Sequence, residues 1–365
     1  MNTFTKTTAF LPKDGASTEY HSIIRVTDPS LAFEAQLSAV LDACDEASAG
    51  RTVHFRRFFL SDAANQEQLL RSALAALPQV ATSIVQQPPL DGTRIAVWQY
   101  ATSPMDRRGD VITSGPYAHH WLGTLTSAAA GAYGQMTDIF ARCADALSGE
   151  GMTVEDNCIR TWIFVRDVDV NYGGVVDGRR DFFRGIGLTE RTHYIASTGI
   201  EGCRAAGEAI VGMDSYSVRG LEPAQVQYLY AKDHLNPTYE YGVTFERGTA
   251  VTYGDRCQIF ISGTASIDNH GEVLHKGDAV AQTHRLLENV SALLAEAGAT
   301  LADIATAIVY LRDAADYPYV KAAVEAACPD LGAVFVLAPV CRPAWLVEME
   351  CIALRPADSN GFRDF

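Results

Sequence analysis

The sequence predicts an α+β fold, with α/β character, in which three similar units follow one another along the chain. Strands rich in β-branched residues alternate with amphipathic helices, a pattern that is typical of sheets covered on one face by helices. The same order of elements recurs three times, and such internal similarity indicates a repeat architecture. At 365 residues, the chain is long enough for two to three domain-sized units.

The repeat is clearest between the middle and the last unit. In the middle unit a helical stretch is followed by the strand CIRTWIFVRD, which ends on Asp167, and in the last unit a similar helix precedes ATAIVYLRD, which ends on Asp313. An aspartate at this place suits the N-cap of the helix that we expect next. Those helices are predicted at residues 173–183 and 316–328, and the closing strands at 191–199, 209–218, 333–339 and 346–354.

The helix predicted over residues 278–297 shows the pattern best. Its apolar residues recur every three or four positions, Asp278 is placed to cap its start, and Gly298 is placed to end it. A third, more divergent copy lies at the front of the chain. There we expect helices at 31–47 and 65–77, and strands at 53–62, 82–87 and 93–102.

These elements define the expected domains. Two units, near residues 18–105 and 110–220, form a degenerate N-terminal region over residues 1–220. Residues 221–239, which include Asn236 and Pro237, form a connector. The last unit occupies residues 240–356, and residues 357–365 form a tail.

Composition excludes several classes of function. The formal charge is −15 and no run of basic residues appears, so we expect no nucleic-acid partner. No stretch of 18 apolar residues exists, so we expect no membrane span. Eight cysteines are scattered singly and the first 15 residues lack a secretory pattern, which favours a cytoplasmic protein without a zinc site. Arginine greatly outnumbers lysine, which suits a small anionic ligand, although a GC-rich genome gives the same bias.

The last unit resembles the Rid (YjgF) family. The residues that carry the resemblance are Ile261-Ser-Gly-Thr-Ala-Ser266, His270-Gly271, Lys276-Gly-Asp278, Gln282-Thr283, Leu287-Glu-Asn289, Glu296-Ala-Gly298, Ile308-Val-Tyr-Leu-Arg-Asp313 and Val347-Glu-Met-Glu-Cys-Ile-Ala353. Rid proteins are trimers of a chorismate-mutase-like fold with ligand sites between subunits. The resemblance therefore implies that three tandem Rid/YjgF-like units form an internal pseudo-trimer and that the chain is a monomer.

A longer pattern is similar to the chorismatase family, which joins a degenerate Rid-like front half to a Rid-like catalytic half. It comprises residues 239–248, Ser262-Gly-Thr-Ala-Ser266, Cys341-Arg-Pro343 leading into Glu348, and Arg160-Thr-Trp162. Members split chorismate into pyruvate and either a dihydroxycyclohexadiene carboxylate or a hydroxybenzoate. Gly263 and Cys341 resemble the product-determining residues of the hydroxybenzoate-forming members. The resemblance thus implies a 3-hydroxybenzoate synthase, whose product can enter pigment or secondary-metabolite biosynthesis.

The expected chemistry rests on one carboxyl group. Rid deaminases pair an arginine with a glutamate, and no unit here keeps both, which argues against imine hydrolysis. Cleaving the enolpyruvyl ether of chorismate instead requires a proton on its terminal methylene carbon, which a buried carboxylic acid can supply. Glu348 is the candidate general acid, and Glu350, which lies on the same strand face, is its rival. No metal or organic cofactor is needed.

Chorismate is a dianion, so its carboxylates need fixed donors. Tyr241, Arg247, Arg160 and Arg191 are the candidates for substrate carboxylate binding. Three alternatives remain open: a chorismate hydrolase that gives the trans-diol, an enzyme that forms a mixture of 3- and 4-hydroxybenzoate, and a non-catalytic Rid-like ligand-binding protein.

Overall fold

The computed structural model describes residues 3–12, 16–359 and 361–365, with only the backbone of Tyr241. It contains three units, each built on its own sheet. In the first unit the strands lie in the order β1-β2-β5-β3-β4, and β3 and β4 are its parallel pair. Its elements are β1 (Thr3–Phe10), β2 (Glu19–Val26), α1 (Phe33–Ser48), β3 (Thr52–Leu60), α2 (Ala63–Leu74), β4 (Ala81–Gln86) and β5 (Ile95–Thr102).

The middle unit repeats this plan with the strand order β10-β9-β11-β8-β7-β6. Its parallel pair is β9 and β10, which correspond to β3 and β4 of the first unit. Its elements are β6 (Asp106–Arg108), β7 (Val111–Ser114), β8 (Tyr117–Thr126), α3 (Gly131–Ser148), α4 (Val154–Asn157), β9 (Cys158–Val165), α5 (Val168–Gly185), β10 (Ala196–Glu201) and β11 (Val211–Arg219).

The last unit has the strand order β12-β13-β14-β17-β15-β16, again with one parallel pair, β15 and β16. The short strand β12 lies within the segment expected to be a connector, where it pairs with β13. The elements are β12 (Val226–Leu229), β13 (Gly248–Thr252), β14 (Arg256–Ala265), α6 (Ala279–Glu296), β15 (Ile304–Leu311), α7 (Tyr317–Ala327), β16 (Ala333–Leu337) and β17 (Val347–Pro356).

The fold class is confirmed, and most of the predicted helices and closing strands lie close to their observed bounds, except that α5 begins at Val168 and β10 at Ala196. The antiparallel strands that open each unit were not predicted. One of them, β8, places His119 and His120 on successive positions, and both are buried. A strand buried on both faces lacks the alternation of polar and apolar residues by which half-buried strands are recognised.

Helix starts follow the sequence prediction with one correction. The Asp278 carboxylate accepts the Ala281 amide at 2.9 Å and caps α6. Asp313 likewise accepts the Ala315 amide, at 2.8 Å, in the turn before α7. Asp167, however, has a positive φ of 50° and its side chain caps nothing. The Glu201 carboxylate instead accepts the amides of Asp167 and Val168 at the start of α5, at 3.1 and 2.7 Å.

The three sheets face one another and the long helices lie outside them. Trp98, Trp121 and Trp162 are fully buried between the sheets, with ring centroids about 6 Å apart. Separate apolar clusters fill the space between sheet and helices in the first two units. Within the described residues, no helix is long and apolar enough to span a bilayer. Two cavities lie where one unit meets the next.

Candidate active site

The cavity that contains the predicted acid lies between the middle and the last unit. Helix α5 and strand β10 form one wall, and β14, β17 and the segments that precede β13 and β17 form the other. The cavity measures about 510 Å³ including its mouth, which is within the usual range for a small-molecule site. Both units are therefore required to build it.

Glu348 is the carboxylic acid of this cavity. It lies near the start of β17, opposite Ala265 on β14 and Tyr310 on β15, and is only 5% exposed. Burial, followed by the charge of Glu350, raises the pKa of Glu348 from 4.5 to about 8, against the opposing effects of nearby arginines. Glu348 therefore keeps its proton at neutral pH, as a general acid must.

Gly263 determines where that carboxyl group can lie. It occupies a bulge of β14, where the pairing with β17 shifts register between Ile261 and Thr264. A Cβ atom at position 263 would come within 2.2 Å of the Glu348 Oε1 atom and 3.0 Å of the Thr198 Cγ2 atom. Only glycine therefore leaves room for the carboxyl group in this position.

Cys341 lies on the same cavity, just before β17, and is half-buried. Burial and the proximity of Glu348 raise the pKa of its thiol to about 12. The thiol is thus protonated, and thiolate is the form that acts as a nucleophile. Cys341 therefore presents a small, uncharged side chain to the cavity.

Two buried arginines line the cavity. The Arg247 Nη2 atom donates to the backbone oxygen and to Oδ1 of Asn236, at 2.9 and 3.1 Å. The Arg179 Nε atom, from α5 of the middle unit, donates to Thr244 Oγ1 at 3.2 Å. A third arginine, Arg342, is exposed at the cavity wall. With a protonated Glu348, the lining carries positive charge suited to an anion.

Sequence reasoning missed Arg179, although a signal was present. Val175, Arg179 and Phe183 recur every four residues on α5, and all three are buried. A charged residue within an apolar helical stripe indicates a buried charge, and buried charges need partners or ligands.

Arg160 does not reach the cavity, which corrects the expectation that it binds a substrate carboxylate. It lies on β9 and pairs with Glu350, with 2.8 Å between Nη2 and Oε2. Its Nη2 atom also donates to Thr198 Oγ1, which accepts the Gly263 amide at 2.9 Å. Arg160 therefore supports the cavity wall through Thr198.

Arg191 and Tyr241 differ from the expectation in other ways. The strand predicted from residue 191 begins at Ala196, and Arg191 lies in an exposed turn away from the cavity. The reason is local: Thr192 Oγ1 accepts the Thr189 amide and donates to the Gly187 carbonyl oxygen, both at 2.9 Å. Tyr241 ends a short 3₁₀ turn, and its side chain lies outside the described residues.

Glu350, the rival acid, is held in a buried ion cluster. Arg57 of the first unit contacts Asp214 of the middle unit at 2.9 Å and Glu350 of the last unit at 3.5 Å. Arg160 completes the cluster on the other oxygen of Glu350. Two guanidinium groups thus neutralise this carboxylate, and the cluster joins all three units at their centre.

At the other two interfaces, the position that corresponds to Glu348 is not occupied by a carboxylic acid. A cavity of about 640 Å³ lies between the last and the first unit, but Ala96 stands there in the register position of Glu348. Between the first and the middle unit, a Cβ atom on Gly123 would come within 2.3 Å of the Thr82 oxygen, so the backbones themselves close the space. The register position of Glu348 is occupied in the middle unit by Gly212. Among the residues that the structure describes, no three His, Cys, Asp or Glu side chains are grouped to hold a metal ion.

Comparison with known proteins agrees with this architecture. Residues 249–355 match the family model described as Endoribonuclease L-PSP. The chain is 32% identical over 222 residues to a 3-hydroxybenzoate synthase of Streptomyces hygroscopicus, an alignment that covers 53% of this chain and 63% of that relative. It is also 40% identical over 63 residues to the 3-aminoacrylate deaminase RutC of Acinetobacter baylyi, covering 17% of this chain and 50% of the relative. The chain thus spans less than two thirds of the length of either relative.

The similarity in structure is longer. The crystal structure of a chorismatase matches 93% of this chain and 99% of its own length, with a TM-score of 0.67 and 17% sequence identity. Such a match shows that the fold is shared along nearly the whole chain. The resemblance to the chorismatase family, with a Rid/YjgF-like domain in the C-terminal third, is therefore confirmed.

Proposed function

We propose that this protein is a chorismatase that converts chorismate to 3-hydroxybenzoate and pyruvate. The observation that carries the proposal is the Glu348 carboxyl group, which is buried, keeps a pKa of about 8 and faces a cavity lined by arginines. The similarity to a 3-hydroxybenzoate synthase supports the choice of substrate.

Glu348 would start the reaction as a general acid. Its proton is transferred to the terminal methylene carbon of the enolpyruvyl group, and the ether carbon becomes an oxocarbenium ion. The bond between ring carbon C3 and the ether oxygen then breaks, and its electron pair forms the keto group of pyruvate. The ionised Glu348 recovers a proton at the end of the cycle.

The neighbouring 4-hydroxyl group decides the product. Its oxygen attacks C3 as the ether leaves, and the hydroxyl proton restores the acid form of Glu348, which leaves an epoxide across C3 and C4. Opening of the epoxide gives the isomeric aromatic acid, 3-hydroxybenzoate. No water is consumed, whereas hydrolysis to the trans-diol would consume one molecule. The Cys341 thiol is a weak hydrogen-bonding group and Gly263 has no side chain that could hold a water molecule, which favours the internal attack.

The substrate carboxylates are assigned to the arginines that face the cavity. Arg247 and Arg179 are buried and approach it from different units, and Arg342 lies at the wall. A guanidinium group can bind a carboxylate through two parallel hydrogen bonds, which fixes orientation as well as charge. Tyr241 stays a candidate from the sequence.

Incubating the purified protein with chorismate tests the proposal. Equimolar pyruvate and 3-hydroxybenzoate, separated by chromatography, are expected. A non-aromatic diol would retain the chorismatase assignment and contradict the product. Pyruvate at the uncatalysed background would favour a Rid-like protein that binds ligands without turnover.

The domain boundaries and the assembly are part of the same proposal. Two degenerate units within residues 1–220 and a catalytic unit within 240–356 occupy one another's interfaces, so the chain should be a monomer. Analytical ultracentrifugation should give a single species near 39.5 kDa. A stable trimer would contradict the internal pseudo-trimer.

A further inference from the structure

A second glycine lies across the cavity from Gly263. This is Gly199, on β10 of the middle unit, and the ring of Tyr172 lies directly over its Cα atom. A Cβ atom at position 199 would lie 2.8 Å from Tyr172 Cε2 and 3.0 Å from its hydroxyl oxygen. Gly199 therefore does for Tyr172 what Gly263 does for Glu348: it leaves the space that the side chain occupies.

The Tyr172 hydroxyl group lies close to the reacting groups. Tyr172, Cys341 and Glu348 line the same cavity. The phenol and the thiol affect one another's pKa through a side-chain hydrogen bond, and the charge of Glu348 reaches both. Burial raises the pKa of the Tyr172 hydroxyl above its ordinary value of 10, so it stays a neutral donor. The phenol therefore lies beside the thiol, within the same cavity.

The strands that carry the two glycines are tied together. Thr198 Oγ1 accepts the Gly263 amide at 2.9 Å, and Ser262 Oγ accepts the Ser197 amide at 2.9 Å. The close contact between a Cβ atom at position 199 and the Tyr172 ring could be relieved by a shift of β10. Such a shift would break the bonds that tie β10 to β14. The free end of Tyr172 must move instead.

We propose that Tyr172, seated on Gly199, is a product-determining residue that shields Cys341 from water and so favours internal attack over hydrolysis. The proposal rests on the proposed chorismatase function. Tyr172 comes from the middle unit and Cys341 from the last, so product choice depends on both sides of the interface.

Two variants test the proposal by different means. Gly199→Ala displaces the ring, whereas Tyr172→Phe keeps the ring and removes the hydroxyl group without adding an atom. Gly173→Ala is the matched control, because this neighbouring glycine of α5 has nothing within 4 Å of an added Cβ atom. Pyruvate, 3-hydroxybenzoate and the trans-diol are quantified by chromatography.

Both test variants should still release pyruvate, with the ratio of diol to 3-hydroxybenzoate raised at least tenfold over the wild type and over Gly173→Ala. A shift in only one variant would assign the shielding to the ring or to the hydroxyl group. An unchanged ratio in both would overturn the proposal. If Gly199→Ala does not fold, Tyr172→Ala, which removes both the ring and the hydroxyl group, takes its place in the comparison. Absence of pyruvate from the wild type would instead refute the proposed function, so the two failures are distinguishable.

Discussion

Replacing Glu348 by glutamine should affect activity and stability in opposite directions. The glutamine side chain keeps the size and hydrogen-bonding groups of the native one but has no acidic proton to transfer. General acid catalysis contributes about 10²–10⁴-fold, so kcat for pyruvate release should fall by at least about a hundredfold. Substrate binding should change little, because the arginines that face the cavity remain.

The effect on stability follows from the raised pKa. The Glu348 carboxyl, with a pKa raised from 4.5 to about 8, keeps its proton at pH 7 in the folded protein and loses it on unfolding. Each pKa unit corresponds to about 1.4 kcal/mol, and about 2.5 units lie between its ordinary pKa and pH 7. The wild type should therefore be less stable than Glu348→Gln by about 3 kcal/mol at pH 7.

The sign of this effect depends on pH. Below pH 4.5 the carboxyl is protonated in both states, so the two proteins should be similarly stable. The free energy of unfolding of the wild type should then fall, relative to the variant, as pH rises from 4.5 to about 8. Wild-type turnover should be constant in acid and should fall as pH rises through about 8.

Urea denaturation at several pH values, with single-turnover pyruvate release, measures both effects. Glu350→Gln is the matched control on the same strand face, because Glu350 is ion-paired. That variant should lose stability, since it leaves the buried Arg160 guanidinium group without its carboxylate partner. A Glu348→Gln protein with more than a tenth of wild-type turnover, or a stability difference independent of pH, would refute the reasoning.

Three further outcomes are expected. Gly263→Ala should lower pyruvate release at least tenfold, because the added Cβ atom forces the Glu348 carboxyl group away from its position. Gly212→Ala is the control and should leave pyruvate release unchanged, because its Cβ atom would have no neighbour nearer than 3.9 Å. Arg247→Ala should raise KM for chorismate at least tenfold, and the exposed Arg191→Ala should leave it unchanged, which steady-state kinetics would show. Arg57→Ala should reduce the free energy of unfolding in urea by about 3–5 kcal/mol, because it leaves two buried carboxylates with too little positive charge; a loss below about 1 kcal/mol would contradict a central role of the ion cluster.

The sequence identified the elements whose signal is local. Helix α6 has regular apolar spacing and an aspartate at its start, and both features act within a few residues of the chain. The repeated strand-and-aspartate pattern revealed the three units for the same reason. Opening strands such as β2 and the first half of β8 escaped notice because successive residues are buried on both faces, and that burial arises from packing between units.

The residues of the candidate site likewise fall into those that the sequence identified and those that only the structure could identify. The sequence motif placed Gly263, Cys341 and Glu348 on one unit, where the structure brings them to a single cavity. The sequence could not show which of the arginines face this cavity. Arg160 and Arg179 both belong to the middle unit, but only the packing of that unit against the last one decides that Arg179 faces the cavity while Arg160 pairs with a carboxylate.

The sequence by itself thus determined the repeat, the fold class and the candidate acid, because periodicity and short motifs are properties of neighbouring residues. Only the tertiary structure decided the protonation of Glu348, since desolvation depends on what covers a carboxyl group. It alone placed Tyr172 on Gly199 and opposite Cys341. These relations join residues far apart in the chain, and they exist only where two units meet.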